Sequence, residues 1–296
     1  MPSLKEVKNR INSVTSTQQI TKAMKMVAAA KLRRAQERIL LMRPYAKKLS
    51  EILQNVSATL SSEGENPYGE IKEIKKVLIV VITSDRGLCG AFNSSVIKSV
   101  QSLISEKYSK QLKDGQIELL CIGAKGFDYF KKKNFFVISQ YKDIFQKLSF
   151  DAVRQAAEFA MNNFLNGNYD VVEIVYNEFK NVATQIVKVQ QFLPILPQAG
   201  TTHQNVYTEY IFEPSKEEIL SELIPKSLKI EFYKAVLESN ASEHGARMTA
   251  MDKATDNAKE LLRQLRLSYN RTRQDAITKE ILEIVGGANA LTQQQW

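Results

Sequence analysis

Cysteine, histidine and tryptophan are scarce in this chain of 296 residues, which holds two, two and one of them. Cys89 and Cys121 lie far from each other and from His203 and His244, so no local set has metal-ligand spacing. Both cysteines sit in or beside apolar, strand-like runs and read as buried free thiols. Ser84 and Asp85 have no histidine near them in sequence, which leaves little from which to build a hydrolytic triad. Seven prolines and 12 glycines are too few for a fibrous or low-complexity disordered chain. No stretch approaches the ~20 consecutive apolar residues of a membrane helix. The N-terminus, Met-Pro-Ser-Leu-Lys-Glu-Val-Lys, enters an amphipathic pattern without the apolar core and cleavage site of a secretory signal, so a cytosolic location is expected.

What is present is an ordinary globular balance, 44% hydrophobic and 25% charged, with a net charge of +9. The charge is uneven: residues 1–45 hold ten Lys/Arg against two acids, 46–225 hold 20 against 21, and 226–296 hold 11 against nine. A basic arm can meet nucleic acid, anionic lipid or an acidic protein surface, and composition does not choose among them.

The arm is also periodic. Leu4, Val7, Ile11, Val14, Gln18, Thr21, Lys25, Ala28, Leu32, Ala35, Ile39 and Met42 follow the alternating three-and-four spacing of a coiled-coil seam. From Ile20 to Ala30, apolar residues cover most of the circumference, more than one partner helix can bury. Pro44 removes a backbone donor and should kink or end the helix, although helical spacing continues to Leu60; Ser61 to Gly69 reads as a linker.

The pattern then alternates between short apolar runs and helical stretches. Strands are expected at Val77–Thr83, Ile117–Ile122, Phe135–Ser139, Val171–Phe179 and Gln185–Phe192, and helices at Ser94–Leu112, Ala124–Lys132 and Phe150–Leu165. This predicts a Rossmann-like, doubly wound α/β domain of mostly parallel strands, closed by a hairpin through Lys180–Thr184. A strand-like stretch at Val206–Phe212 leads to Pro214 and a short helix, Ser215–Leu223, interrupted by Pro225. From Lys226 to Gly286 the chain is helical, and Met248, Met251, Thr255, Ala258, Leu262, Leu265, Tyr269, Thr272 and Ala276 repeat the seam. The expected architecture is a long antiparallel coiled coil of the N- and C-terminal helices with an inserted α/β domain. Its parts are residues 1–60, 70–200 and 206–296.

Two glycine pairs invite a phosphate-binding reading. Gly87-Leu-Cys-Gly90 follows a strand and precedes a helix, and Gly123-Ala-Lys-Gly126 does likewise. Neither has the GxGxxG triplet or the Gly-Lys-Ser/Thr ending, so tight structural turns are expected. Lys131-Lys-Lys133, at a helix end, reads as a solvated face that complements the helix dipole and could meet acidic partner loops.

Four segments resemble the gamma subunits of bacterial F-type ATP synthases. The first is Ile20-Thr-Lys-Ala-Met-Lys-Met-Val-Ala-Ala-Ala-Lys31 with Arg43-Pro-Tyr45. The second is Ser84-Asp-Arg-Gly-Leu-Cys-Gly-Ala-Phe-Asn93. The third is Tyr210-Ile-Phe-Glu-Pro214 with Leu237-Glu-Ser239 and Ser242-Glu-His-Gly-Ala-Arg-Met-Thr-Ala-Met251. The fourth runs from Tyr269-Asn-Arg-Thr-Arg-Gln274 through Ile277-Thr-Lys-Glu280 to Glu283-Ile-Val-Gly-Gly-Ala288. The resemblance spans the chain and implies a rotor stalk inside a ring of three alpha and three beta subunits, standing on the epsilon subunit and the membrane c-ring at the cytoplasmic face of the bacterial inner membrane. Proton flow would turn it, catalysis would belong to the beta subunits, and no cofactor is implied.

The resemblance also implies site residues. Arg273, Gln274, Thr278 and Glu280 would face a beta-subunit loop, Met24 and Lys25 would pass the beta lever segment, and Ile281, Ile284 and Val285 would turn in an apolar bearing. The chain departs from the family in carrying Lys25 where many relatives have an acid, and in its tail beyond Ala288. A thiol switch of the chloroplast kind is not expected, because no closely spaced cysteines are present. The alternatives from other classes are a Rossmann-like nucleotide-binding enzyme with coiled-coil oligomerisation arms, and a nucleic-acid binder using the basic arm.

Overall fold

The computed structural model describes residues 3–58, 67–70, 72–182, 184–195 and 216–293. The linker at 61–66, the strand-like stretch at 206–212 with Pro214, and tail residues 294–296 lie outside them. Contacts divide the chain into two compact units, one of residues 28–247 and one of residues 1–27 with 248–296.

The larger unit is built on a five-stranded sheet of β1 (Val77–Ile82), β2 (Ile117–Ile122), β3 (Phe136–Ile138), β4 (Val171–Phe179) and β5 (Gln185–Leu193), in the order β3-β2-β1-β4-β5. β1 pairs in parallel with β2 and β4, and β2 with β3, while β5 returns antiparallel along β4. Parallel pairs require crossovers. These are α2 (Phe92–Lys107) with the short α3 (Ser109–Lys113), α4 (Ala124–Lys132) and α5 (Phe150–Leu165). The five strands and three helices expected between Val77 and Phe192 are therefore all present. The one division is at Tyr108, where the helix expected through Leu112 breaks. There the chain leaves helical geometry, and the side chain turns into the core with its hydroxyl donating to Glu173 at 2.8 Å.

Side chains alternate across a strand, and here both faces are covered. Leu78, Val80, Ile82, Leu120 and Ile174 pack on Val153, Ala156, Ala157 and Ala160 of α5, together with Leu228, Phe232 and Val236. The opposite set, Val77, Ile79, Val81, Leu119 and Cys121, packs on Val96, Val100 and Ile104 of α2 and on Phe130 of α4. The strands are buried on both faces, and for that reason read as continuous apolar runs.

Two long helices complete the chain, α1 (Leu4–Ala58) and α6 (Lys216–Gln293). α1 does not end at Pro44, where a kink or an end was expected; it runs on to Ala58, in keeping with the helical spacing beyond that residue. The expected interruption at Pro225 does not occur: α6 begins at Lys216, passes through Pro225 and runs beyond Gly286 to Gln293. A proline removes only its own hydrogen bond, and within the following three turns Leu228, Phe232, Ala235 and Val236 are all buried. Their burial outweighs a local cost of ~3 kcal/mol.

Candidate partner-binding surfaces

The place to look for a ligand in an open α/β sheet is the carboxyl end of the strands, where the order reverses, here beside β1. In this protein that end is filled by its own residues. The first turn of α4 has three backbone donors facing it, and each is taken: Ala124 N–H by Asp85 Oδ1 at 3.3 Å, Lys125 N–H by the Ser84 carbonyl at 3.1 Å, and Gly126 N–H by Thr83 Oγ1 at 2.9 Å. An incoming phosphate would have to displace a carboxylate, a carbonyl and a hydroxyl. Gly123 and Gly126 are small because Thr83 lies against them; a Cβ on Gly123 would sit 2.1 Å from the Thr83 carbonyl oxygen. The Gly-Ala-Lys-Gly turn is thus a packing device.

The turn after β1 is held in the same way. Ser84 N–H donates to Asn93 Oδ1 at 2.9 Å, Asn93 Nδ2 donates back to Ser84 Oγ at 2.8 Å, and the Ser84 hydroxyl donates to the Arg86 carbonyl at 2.7 Å. From α6, Arg247 donates to the carbonyls of Gly87 and, at 3.1 Å, Arg86, and pairs with Glu243 at 2.6 Å. The loop tip carries Leu88, left-handed at φ 65° and exposed. Burial raises the carboxyls of Asp85 and Glu243 above the usual range, opposed at Asp85 by the Ala124 N–H and at Glu243 by the Arg247 guanidinium. Burial also raises both thiols, Cys121 to about 12, so neither cysteine is an accessible thiolate at neutral pH. Among the described residues no group of three or more His, Cys, Asp or Glu is placed to hold a metal.

A second joint in this unit ties α1, β4 and α6 together. Arg43 makes a forked contact with Glu238, Nε and Nη2 lying 3.0 and 2.9 Å from Oε1, and Glu238 Oε2 accepts the Phe179 N–H at 3.0 Å. Sequence reasoning noted both residues as family motifs without connecting them; 195 positions separate them.

In the smaller unit α1 and α6 form an antiparallel pair. The Thr255 hydroxyl donates to Thr21 Oγ1 at 2.8 Å, and Lys25 Nζ lies 2.5 Å from Asp252 Oδ1. With Thr21 opposite Thr255, the two predicted seams fall into step: Gln18 comes opposite Ala258, Val14 opposite Leu262, Ile11 opposite Leu265, Val7 opposite Tyr269 and Leu4 opposite Thr272. Val7, Ala258 and Leu262 are accordingly buried.

Beyond Thr272 the described residues of this unit offer α6 no helix to pair with. Every side chain from 273 to 287 is exposed, including Ile277, Ile281, Leu282, Ile284 and Val285. The sequence-derived residues therefore fall into two groups. Arg273, Gln274, Thr278, Glu280, Ile281, Ile284 and Val285 share this overhang, while Met24 and Lys25 lie on the paired part, where Lys25 already has an intrachain partner. Among the described residues no helix is long and apolar enough to cross a membrane.

A closed ligand crevice, a paired helical shaft and an unpartnered apolar helix end define a protein made to be held by others. Comparison with known proteins agrees. The ATP synthase family profile matches residues 3–291. The ATP synthase gamma chain of Cytophaga hutchinsonii is 62% identical over 293 residues, covering 98% of this chain and 99% of its own, and that of Flavobacterium psychrophilum is 55% identical over 291 residues with the same coverage. Among solved structures, a chain of the Tetrahymena thermophila mitochondrial ATP synthase central stalk and c-ring is 29% identical with a TM-score of 0.55, covering 79% of this chain and 99% of its own. The fold also matches a chain of the Euglena gracilis mitochondrial ATP synthase rotor, with a TM-score of 0.62 at 21% identity and coverage of 93% and 98%. The chain belongs to the ATP synthase gamma chain family.

Proposed function

We propose that this chain is the central rotor stalk of a proton-translocating F-type ATP synthase. It couples rotation of the membrane c-ring to sequential conformational change of the beta catalytic subunits in ATP synthesis or hydrolysis. The observation that carries the reading is the overhang of α6, an exposed helix with Ile281, Leu282, Ile284 and Val285 in water and no partner of its own unit. A continuous apolar surface of this kind marks an interaction site.

In this reading the division is functional. The terminal segments, 1–60 and 206–296, stand inside a ring of three alpha and three beta subunits, and the α/β domain, 70–200, forms the foot on the epsilon subunit and c-ring. Catalysis lies in the beta subunits. Arg273, Gln274, Thr278 and Glu280 face a beta loop, to which Arg273 offers a planar fork. Met24 passes the beta lever segment, and Lys25 beside it is turned to Asp252. Ile281, Ile284 and Val285 turn in an apolar sleeve, where few hydrogen bonds mean little resistance to rotation. An asymmetric shaft turning in such a ring biases each beta site in turn, which is population shift driven by mechanical work. The complex sits at the cytoplasmic face of the bacterial inner membrane, and this chain is peripheral to the bilayer.

The test is reconstitution. The chain alone should hydrolyse no ATP, should recover alpha, beta and epsilon partners from a native membrane extract, and should be required for proton-coupled synthesis. Coupled synthesis by a complex assembled without it would overturn the reading.

A further inference from the structure

The helix pair of the smaller unit is joined by two polar contacts one turn apart on α1. Thr255 donates to Thr21 Oγ1 at 2.8 Å, and Thr21 donates onward to the Gln18 carbonyl at 3.0 Å. Beside them Lys25 Nζ meets Asp252 Oδ1 at 2.5 Å. We propose that these four residues are a register lock, with Lys25 and Asp252 as positioning residues that hold α1 and α6 in one axial alignment while the shaft carries torque. The last clause rests on the rotor reading; the lock itself does not.

The apolar seam supplies only part of this alignment. Ile11 and Val14 lie opposite Leu265 and Leu262; a slide of α6 by one heptad sets Thr272 and Tyr269 against them in one direction and Ala258 and Thr255 in the other, which keeps methyl and ring surface in place and loses part of the apolar contact. Polar positions do discriminate. A slide of seven residues in one direction brings Lys259 to Lys25 and Leu262 to Thr21, setting two ammonium groups together and a hydroxyl against an apolar chain. In the other direction Gly245 and Met248 arrive, and neither the ammonium nor the hydroxyl has a partner. The ion pair is half in water, with 40% of the Lys25 and 50% of the Asp252 side chain exposed. Its contribution to stability is accordingly small, and its contribution to choice between alignments is not, because each slipped alignment loses it and one replaces it with repulsion.

The experiment is charge exchange in the assembled complex, read by disulfide trapping. The pair Gln18→Cys with Ala258→Cys reports the observed alignment, and Gln18→Cys with Leu265→Cys reports a seven-residue slide; none of the three belongs to the lock. With the native charges the first pair should cross-link during ATP hydrolysis and the second should not. Lys25→Glu, which faces Asp252 with a like charge, should shift cross-linking toward the second pair and lower protons pumped per ATP by about twofold or more. Adding Asp252→Lys should restore both readouts. If Lys25→Glu prevents assembly, the neutral pair Lys25→Gln with Asp252→Asn takes its place and should show the slide without the repulsion. Unchanged cross-linking in Lys25→Glu, or in the neutral pair where that takes its place, overturns the lock, and so does a pumping defect that charge exchange fails to repair. That second outcome would assign Lys25 to a partner subunit and leave the rotor reading intact. Coupled synthesis without the chain would remove the rotor reading and leave the cross-linking result standing.

Discussion

Replacing Arg43 by methionine tests whether the joint between α1, β4 and α6 is energetic or incidental. In the native protein the guanidinium reaches both oxygens of Glu238, at 2.9 and 3.1 Å, and the Phe179 carbonyl at 3.2 Å. The Glu238 side chain is 1% exposed and that of Arg43 45%. Removing the arginine leaves a buried carboxylate with, among the described residues, the Phe179 N–H as its remaining hydrogen-bond donor. Orphaning one member of a fully buried pair costs ~3–5 kcal/mol. Because Arg43 is half-exposed, water can follow into the vacated space, and roughly 2–3 kcal/mol is the better expectation. For a cooperative unit of this size that is about 5–10 °C in Tm. The assay is urea and thermal unfolding of the purified chain by circular dichroism, in a cycle with Glu238→Met and the double variant. The double variant should be more stable than Arg43→Met alone, since it removes the buried charge along with its partner. A loss under ~0.5 kcal/mol for Arg43→Met, or a double variant equal to the sum of the singles, would refute the reasoning.

Three further outcomes follow from the same geometry. Burial, reinforced by Lys31 and Arg247, pushes the His244 imidazole down to about 4; the unfolded chain therefore takes up its proton first, stability falls as pH drops from about 6.5 to about 4, and the loss attributable to this group is on the order of 3 kcal/mol. His244→Gln should flatten that limb of a Tm-against-pH curve relative to the native chain. Gly123→Ala places a Cβ 2.1 Å from the Thr83 carbonyl oxygen at φ +103° and should destabilise the α/β domain by several kcal/mol in urea, whereas Gly87→Ala, with nothing within 4 Å, should leave it within about 0.5 kcal/mol. Ile284→Asp, at a position 71% exposed, should leave the free chain's Tm unchanged and weaken its recovery with partner subunits; a Tm loss above about 1 kcal/mol equivalent would mean that α6 is packed there after all.

What was legible in the sequence was what periodicity writes locally. The five strands could be read because both faces of the sheet are covered, so each strand is a short apolar run between breaks. The two seams could be read because each is a three-and-four repeat independent of its partner. Less legible was the response of a helix to proline. Pro225 suggested an interruption, but the residues that carry α6 across it, Leu228, Phe232 and Val236, take their stability from burial against the sheet. No local rule contains that burial. Tyr108 is the converse case, a residue with good helical neighbours drawn out of the helix by Glu173, 65 positions away.

The pairing of distant motifs was not legible at all, and it changes what the motifs mean. Arg43-Pro-Tyr45 and Leu237-Glu-Ser239 share one ion pair, the Ser84–Asn93 turn is clasped by Arg247, and Thr21 meets Thr255. The first two contacts join residues from segments that read separately as signatures of one family, and the third joins such a segment to the C-terminal seam. A signature residue can be retained for a partner or for its own chain, and only geometry separates the two. For Arg43, Glu238 and Arg247 the contacts are internal and offset buried charge. For Arg273, Gln274 and Ile284, all exposed, no internal contact competes among the described residues. Lys25 shows why the distinction matters: from the sequence it reads as a partner-facing charge until Asp252 is found beside it. An acid at that position would face Asp252 across the seam, so the two residues have to be read, and altered, together.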